Sequence, residues 1–305
     1  MSSPDLVTVV IPTYNHAGFL REALQSLKAQ TWPHWEAIVV NNHSTDDTET
    51  VIESFADSRI RLENFCNHGV IAASRNRAID LARGGYIAFL DSDDLWLPLK
   101  LERCMAAFRP GVDLVSHGLR WFGERSGDVY CGPHNKATFE SLLLEGSCIT
   151  PSATIIRTAV LRELGGFSEE PAVITAEDYH LWLKLAERGI GMVFLNEILG
   201  KYRIHAGNQS GSALRHMRAV QQVVAEFADH PKADGLRRGW RMRQRACLIA
   251  YGAARTMQHS GDYAGAWPLL GRALASYPFY PRIWAALTIN CVVATRSFVT
   301  RGDGK

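Results

Sequence analysis

Three carboxylates stand within four residues at Asp91-Ser92-Asp93-Asp94, directly after an apolar run at residues 86–90. The run has the length and composition of a buried strand, and the acidic cluster marks its end. Carboxylates this close repel one another unless a positive charge lies among them. A hard divalent cation that also bridges to phosphates is the usual solution. The alternative is a solvated acidic turn that caps a helix starting near Leu95.

The elements before this cluster alternate between strand and helix. Hydrophobic patterning predicts four strands, at residues 6–11, 37–40, 59–63 and 86–90. It predicts intervening helices at residues 19–27, 47–55 and 72–82. Strand–helix–strand repetition indicates an α/β fold with a doubly wound, mainly parallel sheet. Ligands of such sheets bind beyond the carboxyl ends of the strands, so we expect the polar clusters at residues 13–15, 41–44 and 91–93 to meet there.

Composition narrows the class of protein. Hydrophobic residues make up 47% of the 305 residues, charged residues 21%, and the formal net charge is +2. These values are typical of a globular protein and argue against a dedicated nucleic-acid binder. The six cysteines include no CxxC pair, which argues against a disulfide framework or a zinc site. No apolar run reaches the roughly 18 residues of a membrane span, and no secretory signal is visible, so we expect a cytoplasmic protein.

Two common nucleotide-binding motifs are missing from the predicted sheet. The turn at residues 12–18 lacks the Gly-x-Gly-x-x-Gly pattern that a dinucleotide-binding dehydrogenase needs after its first strand. A P-loop is absent as well, and so is the glycine-rich, basic phosphate loop of a nucleotidyltransferase. A ligand with phosphates is therefore expected to be held by a metal ion and side chains.

Six motifs, in order, resemble those of the family-two inverting nucleotide-sugar glycosyltransferases of GT-A type. They lie at residues 9–15, 42–48, 67–76, 91–94, 177–183 and 202–205. The resemblance implies a GT-A catalytic domain at residues 1–210 and an α-helical C-terminal extension at residues 211–305. It implies transfer of a sugar from a nucleotide-diphosphate sugar to a hydroxyl of a glycan or lipid-linked acceptor, in bacterial cell-surface polysaccharide synthesis.

The resemblance also implies a set of nucleotide-sugar-binding residues, namely Pro12, Thr13, Tyr14, Asn42, Arg75, Asn76, Asp91, Ser92 and Arg203. The Tyr14 ring is expected to lie against the base. Asn42 stands where the family commonly has an aspartate that accepts from a uracil N–H. An amide brings a donor and loses the charge, so the base stays open, with a UDP-sugar as the expected donor. Arg75 could present its fork to a base edge or a phosphate, or form a salt bridge on a helix surface.

The implied chemistry needs a metal ion and a base. Asp91 and Asp93 resemble the DxD motif, with Asp91 near the ribose and Asp93 as the main ligand of Mn²⁺ or Mg²⁺. His205 is a further ligand or a structural histidine. The metal would serve as the Lewis acid for a departing nucleoside diphosphate. Asp178 resembles the catalytic base, with Glu177 as its competitor. Both carboxylates could instead only complement a helix dipole.

Two stretches carry weaker signals. Residues 111–151 show no readable motif, and their position suggests acceptor-side loops. Beyond residue 211 the sequence predicts four helices, at residues 213–227, 241–258, 264–276 and 282–299. A pattern from Gly261 to Pro278 is similar to one helical hairpin of a tetratricopeptide array.

The last predicted helix carries aromatic, aliphatic and arginine side chains, which suits docking on a partner or on a membrane surface. Packing on the chain's own core is the alternative. A second class of function also stays open. A catalytically silent nucleotide-sugar binder, or an assembly subunit with the same fold, would have no use for a base, and Asn41 and Asn42 are its main support.

Overall fold

The structure is a computed structural model that describes residues 3–130, 132, 136–205, 212–233 and 239–302. The chain divides into two compact units. The first comprises Met1–Leu142 and Ser147–Ala206, and the second comprises Leu143–Gly146 and Gly207–Lys305. The domain boundary predicted at residues 210 and 211 lies outside the described residues.

The β-branched runs of the first half form parallel strands. These strands are β1 (Ser3–Thr13), β2 (Trp35–Asn41), β3 (Ile60–Asn64) and β4 (Gly84–Phe89). They pair in parallel in the order β3-β2-β1-β4. The connecting helices are α1 (Ala17–Lys28), α2 (Thr48–Ser54) and α3 (Ile71–Leu81). The predicted doubly wound sheet is confirmed in this half of the first unit, with all four strands and three helices close to their predicted places.

The other half of the sheet is mixed. It contains β5 (Leu95–Trp96), β6 (Leu114–Gly123), β7 (Gly127–Val129), β8 (Thr154–Arg157) and β9 (Met192–Ile204). β8 runs antiparallel between β4 and β6, while β9 is parallel to β6 and antiparallel to β5. The expectation of loops at residues 111–151 is wrong for β6, which lies inside the sheet. Its polar residues Ser116 and His117 are buried, so no alternating pattern marks it as a strand.

The helix expected near Leu95 is also absent. Leu95 and Trp96 pair with β9, and the next helix, α4 (Lys100–Ala107), begins later. Trp96 is buried, and its Nε1 donates to the Ser152 carbonyl over 2.8 Å. The acidic cluster therefore leads into a buried strand pair and does not cap a helix.

Three more helices lie between β6 and β9 along the chain, namely α5 (Phe139–Glu145), α6 (Thr158–Glu163) and α7 (Glu177–Arg188). The last residues of α5 are assigned to the second unit. α7 buries Leu181, Trp182 and Leu185 and ends at Gly189, whose φ of 72° suits glycine. Burying each such large apolar side chain contributes about 1.5–3 kcal/mol. The apolar face of α7 therefore fixes the helix whose first residues are Glu177 and Asp178.

The second unit is helical where it is described beyond residue 212. Its helices are α8 (Ala213–Ala228), α9 (Trp240–His259), α10 (Tyr263–Ser276) and α11 (Pro281–Gly302). The α9–α10 turn uses Gly261 at a φ of 85°, and the Asp262 side chain caps α10 by accepting from the Gly265 N–H. Gln258 donates to the Ala286 carbonyl and Asn290 to the Tyr263 carbonyl, which joins α11 to the hairpin. Among the described helices, none is long and apolar enough to cross a membrane.

Candidate active site

Loops from three parallel strands meet at their carboxyl ends. The Asn15 N–H donates to Ser44 Oγ, and the Thr45 N–H donates to Asn15 Oδ1, each over 2.8 Å. His16 Nδ1 lies 3.0 Å from Ser92 Oγ, which adds the acidic turn after β4. The structure thus brings the three polar clusters of the sequence together at one edge of the sheet.

The backbone around this edge is strained in several places. Asn15, His43 and His68 have φ values of 52°, 51° and 51°, and Thr175 has a φ of 81°. Asparagine tolerates this left-handed region, whereas a β-branched residue such as threonine rarely adopts it. Each such residue costs on the order of 1–3 kcal/mol and persists only where its surroundings hold it. Thr175 lies just before α7, so the strain adjoins the candidate base.

The first strand end presents two side chains that a ligand could engage. Thr13 Oγ1 is buried and has no hydrogen-bond partner within the described part of the chain. Tyr14 is 54% exposed, which is high for a large ring. Pro12 differs, because it is buried within β1 opposite Val40. Thr13 and Tyr14 are therefore placed for ligand contact, while Pro12 shapes the strand end.

Asn42 connects two loops of this edge. Its Oδ1 accepts the Asn67 N–H over 2.9 Å, and Asn67 Nδ2 in turn donates to Ser74 Oγ over 2.8 Å. One lone pair of the Asn42 oxygen is thus in use before any base arrives. The neighbouring Asn41 is fully buried and donates to Asn64 Oδ1, so it serves the fold.

Arg75 is a buried bridge between two parts of the site. Its Nη2 lies 2.9 Å from Asp91 Oδ1, and its Nη1 lies 2.8 Å from Glu177 Oε1. Its side chain is only 4% exposed. Burial opposes its charge, but the Asp91 and Glu177 carboxylates outweigh that effect and raise the pKa of Arg75. Arg75 therefore joins two carboxylates, in place of the open fork or the surface salt bridge expected from the sequence.

Asn76 is hydrogen-bonded to a neighbouring segment of the chain, and its predicted contact with the nucleotide stays a prediction. Its Nδ2 donates to the Phe167 carbonyl and to Glu169 Oε1, and its Oδ1 accepts the Phe167 N–H. Both ends of the amide are used by the segment before α7. Arg75 and Asn76 are adjacent on α3, so their side chains leave the helix in different directions.

The three carboxylates after β4 avoid repulsion in three different ways. Asp91 pairs with Arg75, and Asp93 Oδ2 lies 2.9 Å from His205 Nε2. Asp94 is fully buried, and its Oδ1 accepts the Arg203 N–H over 2.9 Å. Burial, followed by the charges of Asp93 and Asp91, raises the pKa of Asp94 well above its usual range. The protonated form of Asp94 is thereby favoured.

Arg203 anchors this turn. Its Nε donates to the Asp93 carbonyl and its Nη2 to Glu22, over 2.9 and 2.8 Å. Its guanidinium lies over the rings of Phe19 and Phe122, at 4.6 and 4.4 Å from their centroids. Such stacking is favourable for arginine. Arg203 therefore fixes the backbone of the acidic turn, and its predicted role in binding the nucleotide sugar stays a prediction.

Asp178 and Glu177 are adjacent carboxylates with different surroundings. Glu177 is buried and pairs with Arg75. Asp178 accepts the Tyr179 N–H over 2.7 Å, and no cation of the described residues lies within salt-bridge distance of it. Burial and then the Glu177 charge raise the pKa of Asp178 to about 7, although Arg75 opposes the shift. A carboxylate with a pKa near neutrality suits a general base, so Asp178 is the better candidate of the two.

The donor atoms suit a metal that a ligand helps to bind. Asp93 offers a carboxylate oxygen and His205 an imidazole nitrogen, and they converge at 2.9 Å. Asp91 is committed to Arg75. Nowhere in the described part of the chain do three or more His, Cys, Asp or Glu side chains cluster as a complete metal site. Mg²⁺ or Mn²⁺ held by one or two protein groups plus phosphate oxygens fits such a partial set.

Comparison with known proteins identifies the family to which the chain belongs. The family model described as glycosyl transferase family 2 matches residues 8–165, over half of the chain. The chain belongs to glycosyl transferase family 2. This glycosyltransferase is 29% identical over 231 residues to the Escherichia coli UDP-Glc:alpha-D-GlcNAc-diphosphoundecaprenol beta-1,3-glucosyltransferase WfgD, which covers 75% of this chain and 88% of that protein.

Two solved structures share the fold. S. aureus TarS 1-349 in complex with UDP-GlcNAc gives a TM-score of 0.58 at 20% identity, over 89% of each chain. The mannosyltransferase PcManGT from Pyrobaculum calidifontis, in complex with GDP-Man and Mn²⁺, gives 0.59 at 19% identity, over 98% of this chain and 86% of that chain. The predicted family and the GT-A fold with a helical C-terminal extension are thus confirmed for this glycosyltransferase.

Some residues of the glycosyltransferase site were not predicted. Ser152 Oγ accepts the Asp91 N–H over 3.1 Å, and Glu22 pairs with Arg203. Tyr202 is partly buried, and burial and then the charges of Asp94, Asp91 and Asp93 raise the pKa of its hydroxyl. Tyr202 belongs to the sequence motif at residues 202–205. Ser152 and Glu22 carry no sequence signal, because only the folded chain brings them to the turn.

Proposed function

We propose that this chain is a metal-dependent, inverting glycosyltransferase that uses a nucleotide-diphosphate sugar, with residues 1–210 as its catalytic domain. The observation that carries the proposal is the Arg75 bridge. It ties Asp91, on the donor side, to Glu177, the neighbour of Asp178. A donor and an acceptor held at this edge would therefore lie next to a carboxylate whose pKa is about 7.

Inversion follows from a single displacement at the anomeric carbon. Asp178 accepts the proton of an acceptor hydroxyl while the hydroxyl oxygen forms a bond to the anomeric carbon. The bond between that carbon and the diphosphate oxygen breaks on the opposite face. Glu177 is paired with Arg75, which leaves Asp178 as the group that gains the proton. Oriented groups of this kind lower the barrier because the reactants no longer have to find each other.

The donor side is proposed to hold the nucleotide with few charged groups. Thr13 and Tyr14 would contact the base and ribose, with Asn42 and Ser92 at the pocket's edge. Asp93 and His205 would hold Mn²⁺ or Mg²⁺. The metal would supply Lewis-acid stabilisation of the charge on the leaving diphosphate. Glycosyltransferases of the same fold with bound UDP-GlcNAc, or with GDP-Man and Mn²⁺, support this assignment.

The acceptor is proposed to be a sugar hydroxyl of a glycan or of a lipid-linked diphosphate glycan. The Escherichia coli relative acts on such a substrate, a GlcNAc-diphosphoundecaprenol, with UDP-Glc as donor. We therefore infer a step in bacterial polysaccharide synthesis and a cytoplasmic protein that contacts the membrane peripherally. A UDP-sugar is the donor we expect.

A donor-hydrolysis screen tests the proposal. Purified full-length protein is incubated with UDP-, GDP- and dTDP-sugars, with and without Mn²⁺, alongside Asp178→Asn and Glu177→Gln variants. We expect nucleotide release from one donor class, dependence on the metal, and an inverted anomeric centre in any transfer product by NMR. Nucleotide binding without turnover by the native protein would instead favour the silent binder.

A further inference from the structure

Four aromatic side chains of the second unit form a continuous surface, which we call the aromatic patch. Trp240 opens α9, Tyr277 and Phe279 lie in the α10–α11 turn, and Trp284 lies in the first turn of α11. The ring centroids of Trp240 and Tyr277 are 6.1 Å apart, and those of Tyr277 and Phe279 are 5.7 Å apart. Trp284 Nε1 donates to the Pro278 carbonyl over 3.0 Å. These contacts fix the patch as one feature.

The aromatic patch is unusually exposed for such side chains. Phe279, Trp240 and Trp284 are 78%, 61% and 53% exposed, and among the other large apolar side chains of the described residues Tyr14, at 54%, and Tyr130, at 49%, come nearest. Tyr14 stands at the proposed nucleotide site, where a stacked base would cover it. The three patch residues have no place in that chemistry. Contiguous exposed apolar surface of this kind marks an interaction site.

Charge separates this part of the chain from the rest. Residues 207–305 contain 14 Lys and Arg against 5 Asp and Glu, whereas residues 1–206 contain 19 against 26. The formal net charges are therefore +9 and −7. Between residues 240 and 293, Asp262 is the sole acidic residue. It caps the start of α10, and about 20 Å of helix separates it from Tyr277.

Basic side chains accompany the aromatic patch. Arg243 is one turn after Trp240, Arg272 is in the last two turns of α10, and Arg282 follows the α10–α11 turn; all three are exposed. Gln258 and Asn290 fix α11 against the α9–α10 hairpin through buried hydrogen bonds. The patch and these arginines are therefore presented on a rigid support, as a docking surface requires.

We propose that the aromatic patch and its arginines dock on an anionic lipid bilayer. Tryptophan, tyrosine and phenylalanine rings partition to the headgroup region, where one end meets apolar chains and the other meets water. Each arginine near an anionic surface strengthens binding about fivefold, the ratio that about 1 kcal/mol corresponds to. The patch lies across a helix end and a turn, so it contacts the interface without spanning the bilayer. Lipid binding here does not depend on sugar transfer.

Vesicle sedimentation tests this surface with the full chain. The probes are vesicles of equal parts phosphatidylglycerol and phosphatidylcholine, and vesicles of phosphatidylcholine alone. The patch variant is Phe279→Ser with Trp284→Ser, and the charge variant is Arg272→Gln with Arg282→Gln. The matched control is Trp267→Ser, a partly exposed tryptophan of α10 about ten residues before Tyr277. Circular dichroism checks that each variant is folded.

The native chain should bind the anionic vesicles, with binding that weakens as ionic strength rises. The patch variant should bind at least about tenfold more weakly, because two large apolar groups no longer leave water. The charge variant should bind the anionic vesicles about 25-fold more weakly, because it lacks two arginines. The Trp267→Ser control should bind like the native chain. Native-like binding by both variants would overturn the proposal. So would an absence of vesicle binding, or self-association of the native chain that the patch variant abolishes, which would make the patch an interface between copies.

Discussion

The turn after β4 and the start of α7 both crowd carboxylates together, and they resolve the crowding differently. In the turn, Asp91 and Asp93 each face a cationic or potentially cationic partner, Arg75 and His205. At the start of α7, Glu177 pairs with the other end of Arg75, while Asp178 accepts a backbone N–H and has no cation within salt-bridge distance among the described residues. The pKa of Asp178 rises to about 7 as a result of burial and the nearby Glu177 charge.

This difference shows how one residue type serves two tasks. A carboxylate that pairs with a cationic side chain can bind or orient a ligand. A half-buried carboxylate that has no such partner among the described residues, and whose pKa is about 7, can exchange its proton near neutral pH. The pairing of Arg75 thus separates the residues proposed to bind the donor from the residue proposed to act as base.

Replacement of the base should have the largest effect. Asp178→Asn should lower the transfer rate on the order of 10³-fold, because a general base contributes about that much. Nucleotide affinity measured by calorimetry should stay close to that of the native protein, since the proposed base contacts the acceptor and not the nucleotide. The amide oxygen can still accept the Tyr179 N–H, so the fold should persist. Near-native transfer by Asp178→Asn would move the base to Glu177 or another group.

Loss of the proposed metal ligand should come next. Asp93→Ala should reduce donor turnover by at least about 100-fold, as expected for a group that stabilises charge in the transition state. Excess chelator should have a comparable effect on the native protein. Asp128→Ala, which removes an exposed ion pair with Arg120 far along the sequence, is the control and should be active. Full native turnover in chelator would rule out the metal.

The Arg75 bridge should set the pH profile. In the native protein kcat/KM should rise about tenfold per pH unit below 7 and level off above it, as Asp178 ionises. Arg75 opposes the pKa increase at Asp178, so Arg75→Gln should move this inflection to higher pH and lower kcat roughly tenfold near neutrality. Arg75→Lys keeps the charge and should keep the inflection near 7. An unchanged profile in Arg75→Gln would remove Arg75 from the control of Asp178.

The pH dependence of folding stability tests the pKa of Asp178 independently of activity. A carboxyl whose pKa is higher in the folded than in the unfolded state contributes stability below its unfolded-state pKa. That contribution is lost as pH rises through the folded-state value, here about 7. Asp178→Asn should therefore gain stability relative to the native protein between pH 5 and 8, as judged by denaturant unfolding at each pH.

The smallest expected change concerns the choice of nucleobase by Asn42. In Asn42→Asp one carboxylate oxygen can still accept the Asn67 N–H while the other accepts a uracil N–H. The preference for uridine nucleotides over others should rise by about 1 kcal/mol, or roughly fivefold. Competitive binding of UDP and GDP to the two proteins measures it. An unchanged preference would place Asn42 outside the base pocket.

Sequence patterns located the parallel half of the sheet because its strands are apolar runs separated by amphipathic helices. They failed at β6, where Ser116 and His117 are buried in the strand. They also failed at Leu95 and Trp96, whose strand exists only because β9 returns beside it. Secondary structure that depends on a distant partner leaves no local period to read.

The candidate site likewise contains residues that the sequence could identify and contacts that it could not. Residue types identified the acidic turn, the Glu177-Asp178 pair and His205, and the structure brings Asp93 to His205. The pattern could not tell which polar groups are already in use. Asn76 is hydrogen-bonded to the Phe167 backbone, and Arg203 donates to Glu22 and to the Asp93 carbonyl. These partners lie between 91 and 181 residues away in the sequence, so only the folded chain reveals them.

The backbone of Thr175 bears on any attempt to make this protein more heat-tolerant. A threonine at a φ of 81° is a natural target for glycine, which adopts that conformation without steric cost. Thr175→Gly would relieve on the order of 1 kcal/mol of strain. The same change would let the segment before α7 sample other conformations, so the first carboxylates of the helix would be held less accurately. A substitution that raises thermostability at this position would therefore be expected to lower the turnover rate.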